Sequence, residues 1–110
     1  MINYTTPTIT LTVEGVDLTP HDVYVSLEQG THELHKTGND LTITTDTHGQ
    51  VTDTIITLVL TQEESASFNI GKAVNVQVNY VTADGVRDAT EIKTINVMRN
   101  LLDEVVNYGN

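Results

Sequence analysis

Apolar and polar residues alternate along most of the chain, which is the pattern of strands with one buried face. The clearest example lies between residues 73 and 81, where Val74, Val76 and Val78 share one face and amide side chains occupy the other. This alternation, with turn residues between the segments, predicts strands over residues 8–13, 23–28, 33–37, 41–45, 51–60, 73–81 and 86–97.

One segment departs from the alternation and predicts a short helix at about 61–68. Thr61 and Glu64 have the spacing of a capping box, in which each side chain satisfies a free amide at the start of a helix. Gly71 follows, and glycine readily adopts the left-handed conformation that ends such a turn.

These elements predict an all-β fold, an antiparallel β-sandwich of immunoglobulin-like general shape. Threonine, valine and isoleucine are used heavily, and these β-branched residues favour pleated, half-buried surfaces. Asp84 and Gly85 between two alternating segments indicate a hairpin. The cysteine and tryptophan marks of a true immunoglobulin domain are absent, so the likeness is one of architecture. Residues 1–100 are predicted to form a single domain.

Two predicted strands carry apolar residues on both faces. Ile55 and Val59 oppose the main apolar face of the fifth strand, and Ile92 opposes that of the last strand. A β-bulge or partial cover by a loop would explain this, because bulges redirect side chains. The other explanation is a second apolar face that is buried against another subunit.

The C-terminal residues 101–110 form an arm or a short helix in this interpretation. Leu101, Leu102, Val105 and Val106 have helical spacing, but the segment is too short to hold a helix by itself. Two alternatives stay open: the segment folds back on its own sheet, or it docks on a neighbouring molecule.

Composition narrows the range of partners and compartments. A net charge of −10 disfavours nucleic acid, which is bound mainly through Lys and Arg. It also disfavours anionic membrane surfaces. The first residues have neither the basic start nor the apolar core of a signal peptide, and no apolar run is long enough to span a bilayer. The expected site of synthesis and first use is the cytoplasm.

The residues that could act in catalysis or bind a metal do not form a recognisable motif in the sequence. On a strand, His32 and His35 point to opposite faces, and metal sites normally need three or four ligands. Asp46, His48 and Asp53 lack the ligand order of a calcium loop. The serines, Ser26, Ser65 and Ser67, lie outside any nucleophile motif. No catalytic residue, cofactor or metal is therefore predicted.

The sequence Leu-Thr-Gln-Glu-Glu-Ser at 60–65 is followed by Phe68, by Gly-Lys at 71–72 and by the strand Val-Asn-Val-Gln-Val at 74–78. Asp-Gly at 84–85, a Thr-Ile strand and the Leu-Leu-Asp-Glu-Val-Val tail at 101–106 come next. In this order the motifs resemble small structural proteins of phages and prophages of Gram-positive bacteria, including domains similar to the N-terminal part of upper baseplate proteins. The resemblance covers about residues 54–106. A frequent Arg in that group is replaced here by Asn79.

The resemblance implies a non-enzymatic tail or baseplate protein that packs against other virion proteins, with a homo-oligomer also open. Such a protein would assemble in the cytoplasm of the host and end in the virion. An adhesin or carbohydrate-binding module of sandwich shape is the alternative, because fold alone does not separate these functions. Sugar sites often use exposed aromatic rings, and the chain has no Trp, one Phe and four Tyr.

Overall fold

The computed structural model describes residues 1–106 and confirms an all-β, sandwich-like fold with one short α-helix. The strands are β1 (Thr8–Val13), β2 (Asp22–Gln29), β3 (His32–Thr37), β4 (Leu41–His48), β5 (Val51–Val59), β6 (Ala73–Val81), β7 (Arg87–Ala89) and β8 (Lys93–Asn96). Helix α1 spans Gln62–Ala66, and a 3₁₀ turn covers Gly38–Asp40. Among residues 1–106 no helix has the length and apolar character needed to cross a membrane.

The strands form two antiparallel sheets. One has three strands in the order β1-β5-β4, and the other has five, in the order β3-β2-β6-β7 with β8 also paired to β6. The chain crosses between the sheets three times: through the β1–β2 connection, through the 3₁₀ turn and through α1. The edges of the three-stranded sheet are therefore β1 and β4.

The core lies between the two sheets and is built from alternate residues of each strand, as the sequence predicts. The buried apolar strand residues are Ile9, Leu11, Val13, Val23, Val25, Leu27, Leu41, Ile56, Leu58, Val74, Val76 and Val78. Residues from the connections complete the core, because Leu18, Leu60 and Phe68 are buried as completely as any strand residue.

The prediction of one long strand over residues 86–97 is wrong, because the strand is interrupted between Ala89 and Lys93. Thr90 lies in this interruption and bonds twice to Val78 of β6. Its N–H donates to Val78 O at 2.9 Å, and its Oγ1 accepts from Val78 N at 3.1 Å. The β7–β8 segment has one residue more than the part of β6 that it faces. A β-bulge, one of the explanations that the sequence leaves open, is thus present at Ile92.

Helix α1 begins where the capping box predicts and ends earlier than expected. Glu64 N donates to Thr61 Oγ1 at 3.1 Å, and Thr61 N donates to a carboxylate oxygen of Glu64 at 2.9 Å. Gly71 is left-handed, with φ of 79°, but it lies in the turn before β6 and is not the residue that ends the helix. Its N–H donates to Val97 O at 3.1 Å and ties this turn to the end of the last strand.

Candidate assembly surfaces

The segment after β8, which we call the arm, is residues 98–106 in the part of the chain that the structure describes. It has no helix or strand beyond an isolated bridge at its first residue, and residues 107–110 of the predicted arm lie outside the described range. Its large apolar side chains are exposed: Met98 by 54%, Leu101 by 87%, Leu102 by 53%, Val105 by 39% and Val106 by 41%. So many exposed apolar residues within one short segment typically mark an interaction surface.

The arm starts at Met98, whose backbone bonds to Met1 and Asn3, and beyond that residue it is held to the domain through the side chain of Gln62 on α1. Gln62 Nε2 donates to Val106 O at 2.7 Å, and Val106 N donates to Gln62 Oε1 at 2.6 Å. The side-chain amide thus pairs with the backbone of Val106 as a neighbouring strand would. Leu102 N also donates to Asn100 Oδ1 at 3.0 Å, which closes a local turn. These contacts use backbone groups and leave the apolar side chains in solvent.

The predicted second face is divided between the two sides of the sandwich. Ile55 and Val59 lie on the outer face of the three-stranded sheet, where Ile55 is half-buried and Val59 is exposed. Their direct neighbours across the sheet are threonines: Thr8, Thr12 and Thr44. Ile92 is exposed and lines a shallow groove on the outer face of the five-stranded sheet. The three residues therefore do not form one surface.

Helix α1 is anchored by an ion pair that the sequence does not reveal. Lys36 Nζ lies 2.7 and 2.8 Å from the two carboxylate oxygens of Glu64, and the side chains are only 13% and 21% exposed. Burial alone would raise the pKa of Glu64, but hydrogen bonds from Lys36 and from Thr61 outweigh it, so the net pKa is lowered. Glu64 thus caps α1 and fixes it to β3, which positions the Gln62 attachment point of the arm.

The candidate chemical residues of the sequence are occupied in structural contacts. His32 faces inward, with its ring 4.8 Å from that of Phe68, whereas His35 lies on the outer face, as the strand periodicity predicts. His48 Nε2 contacts Asp46 Oδ2 at 2.8 Å, and Asp53 Oδ1 accepts from Gly15 N at 2.8 Å. Asp46 therefore makes a contact within the β4–β5 hairpin, and Asp53 links this hairpin to the β1–β2 loop.

A shallow polar groove crosses the outer face of the five-stranded sheet. It has a volume of about 340 Å³ and is lined by Tyr24, Ser26, His35, Asn79, Val81 and Arg87. Arg87 Nη2 donates to Asn79 Oδ1 at 3.4 Å, and Ser26 Oγ lies 2.9 Å from His35 Nδ1. The register of β2 with β3 and β6 creates this groove, so it could not be found from positions along the sequence.

The groove has the residue types of a hydrolytic triad without its geometry. Glu33 Oε2 is 3.5 Å from His35 Nε2, beyond a normal hydrogen bond, and both side chains are more than half exposed. Ser26 lies in the middle of β2, which pairs with strands on both sides. Backbone N–H groups near it are therefore used in the sheet and do not form an oxyanion site. What the groove offers is hydrogen bonding to a polar ligand.

Within residues 1–106, the arm and the groove are thus two surfaces that could bind a partner. The arm exposes apolar side chains and, beyond Met98, is attached to the domain through Gln62. The groove is lined mainly by residues with polar groups and is open to solvent. Comparison of the chain with protein-family profiles, with curated proteins and with solved structures finds no significant match.

Proposed function

We propose that the chain is a non-enzymatic structural protein of a phage or prophage particle, a component of the tail or baseplate region. Its partners in this proposal are other virion proteins and further copies of the chain, met in the host cytoplasm during assembly and then in the virion. The sequence motifs over residues 54–106 support the proposal through their resemblance to that group. The structural support is the arm.

The observation that carries the proposal is the cluster of exposed apolar side chains on the arm. Burying a large aliphatic side chain completely contributes roughly 1.5–3 kcal/mol. About half or more of the surface of most apolar side chains of the arm is exposed, so its burial on binding would still contribute free energy. Leu101 is the most exposed large apolar residue of the described chain, at 87%. A neighbouring molecule that covers the arm would gain this energy, whereas the isolated domain leaves it unused.

Repetition would strengthen such a contact. A tail or baseplate holds many copies in fixed positions, so that the second and later contacts of each copy form at high effective concentration. Beyond Met98 the arm is attached through Gln62 and Val106, so residues 99–106 can leave helix α1 at the loss of a pair of hydrogen bonds. The arm therefore combines an apolar surface with a weak internal attachment, which suits assembly on a neighbour.

Removing the arm is expected to abolish assembly beyond a dimer without unfolding the domain. We expect the full chain to form species larger than a dimer in light scattering, and a chain ending at residue 100 to form none of them. The matched control is the full-length double variant Leu101→Ser/Leu102→Ser, which keeps the arm and removes two of its exposed apolar side chains. Urea unfolding should show that both variants retain the stability of the sandwich. A folded truncated chain that assembles like the full chain would contradict the role of the arm.

A carbohydrate-binding or adhesin module is the second candidate, and the polar groove favours it. Tyr24 is 40% exposed, so part of its ring is free to stack on a sugar, and Asn79, His35 and Arg87 supply hydrogen-bonding groups beside it. The two candidates differ in one observable. Retention of the protein on a glycan panel, lost in Tyr24→Ala, would establish this second function, while the assembly role requires no sugar binding.

A further inference from the structure

Within residues 1–106, strand β4 has one edge without a partner, and the register of its hairpin shows which backbone groups lie there. Leu60 N donates to Pro7 O at 3.1 Å, so the even-numbered residues of β5 direct their backbone groups towards β1. The odd-numbered residues of β5 therefore bond to β4. The two-residue loop between β4 and β5 agrees with this, because it is flanked by the pair His48 and Val51, which then exchange hydrogen bonds.

The odd-numbered residues of β4 consequently point to the free edge. Thr44 pairs with Ile55 and bonds to β5, whereas Ile43, Thr45 and Thr47 direct N–H and C=O away from it. Leu41 has the same orientation, and its N–H donates to Gly38 O in the 3₁₀ turn. Within residues 1–106 the N–H groups of Ile43, Thr45 and Thr47 have no backbone partner outside the sheet. Thr45 and Thr47 are exposed.

The other sheet edges carry features that discourage strand addition, and β4 does not. β3 turns Lys36 inward to Glu64, and the edge formed by β7 and β8 is interrupted by the bulge at 90–92. β1 follows Pro7 and borders a narrow cavity that Glu91 and Lys93 also line. β4 is a long, regular strand rich in threonine, and it contains no proline, glycine or lysine. Such an edge is a template for another strand.

We propose that this edge pairs with β4 of a second copy, antiparallel about a two-fold axis, with Thr44 opposite Thr44 of the other copy. The inference rests on the proposed assembly function and names a second copy as one partner. The two three-stranded sheets then become one continuous sheet across the dimer. A two-fold contact uses the same segment on both sides, so the segment must be complementary to itself.

The segment meets that condition in this register. Ile43 faces Thr45 of the partner copy, and Leu41 faces Thr47, so every free N–H and C=O of these residues gains a partner. Asp46 faces Thr42, well away from the other Asp46. An axis at Thr45 would place the two Asp46 side chains diagonally adjacent, and an axis at Asp46 would place them directly opposite, where like charges destabilise a sheet. The axis at Thr44 is therefore favoured.

The chain carries a net charge of −10, but few of its charged residues lie along this edge, so a second copy can approach it. The strand between Leu41 and Thr47 has a single charged residue, Asp46, and His48 Nε2 contacts its carboxylate at 2.8 Å. Two copies can therefore approach along β4 with little repulsion between close charges. The acidic residues elsewhere on the domain stay apart, and at physiological salt they are screened beyond roughly 8 Å.

Single cysteines test the register, because the chain has no cysteine of its own. In the proposed dimer the two Thr44 residues form a non-hydrogen-bonded pair, with Cα atoms about 4.5 Å apart, which a disulfide can span. Thr42 lies on the same exposed face, yet it is separated from the partner's Thr42 by four residues along the strand, about 13 Å. Thr42→Cys is therefore a matched control for Thr44→Cys.

We expect Thr44→Cys to form a disulfide-linked dimer with oxidised glutathione at least roughly tenfold faster than Thr42→Cys, on non-reducing gels at high protein concentration. Equal rates for the two variants, or no cross-link in either, would overturn the proposed register. Sedimentation of Thr45→Pro adds a second test, since the substitution removes only an N–H at the free edge. It should abolish the reversible dimer, and Thr10→Pro, at the free edge of β1, should not. If both tests fail, the proposed pairing of β4 is wrong, but the proposed role of the arm in the particle is unaffected.

Discussion

Replacing Phe68 with alanine is expected to lower the free energy of unfolding by about 4 kcal/mol, the typical cost of emptying a buried aromatic site. Phe68 is the only phenylalanine of the chain and is 1% exposed. It follows α1 and packs beside the His32 ring of β3, so it joins the connection between the sheets to the core. Its carbonyl also accepts from Asn3 Nδ2 at 3.1 Å. The total free energy of unfolding of a native domain is only about 5–15 kcal/mol, so this loss is a large part of it.

Equilibrium urea unfolding measures this loss as a lower midpoint with an unchanged slope. The control is Ile70→Ala in the same connection, where the side chain is 50% exposed and we expect a loss below about 1 kcal/mol. A loss of similar size in both variants would show that Phe68 has no special place in the core.

Replacing Thr54 with valine is expected to cost about 2–3 kcal/mol, although valine has nearly the same shape. Thr54 is fully buried in β5, and its hydroxyl bonds twice. It accepts from Leu18 N at 2.9 Å and donates to Val16 O at 2.7 Å. Valine would leave both backbone groups of the β1–β2 loop without a partner, and this loop carries the buried Leu18 into the core.

Thr57→Val on the same strand is the control for Thr54→Val. Thr57 lies on the outer face, and its substitution should change stability by no more than about 0.5 kcal/mol. Thr54→Ser keeps the hydroxyl and should recover part of the loss. If Thr54→Val were as stable as Thr57→Val in urea unfolding, the hydroxyl of Thr54 would not be what holds the loop.

The strands and the start of the helix could be predicted from the sequence because their signals are local. Alternation places Val74, Val76 and Val78 in the core, and the Thr61–Glu64 spacing alone specifies the cap. The break at residues 90–92 was not predicted. It depends on Thr90, whose backbone and hydroxyl both bond to β6, and nothing near it in sequence marks it as a strand end.

The candidate surfaces were only partly predictable, because they depend on contacts between distant residues. The apolar residues of the arm are visible in the sequence, but its attachment joins Gln62 to Val106 across 44 positions. The groove and the Lys36–Glu64 ion pair likewise follow from strand register and from the placement of α1. Ile55 and Ile92 were expected on one face, but sheet order places them on opposite sides of the sandwich.

Mass spectrometry of purified phage particles tests the central claim most directly. Particles would be prepared from an induced lysate of the source organism, and the copy number of this chain would be measured against that of known virion proteins. The proposed function predicts the chain in the particles at a fixed, stoichiometric copy number. Presence in the lysate together with absence from the particles would contradict a structural role in the virion.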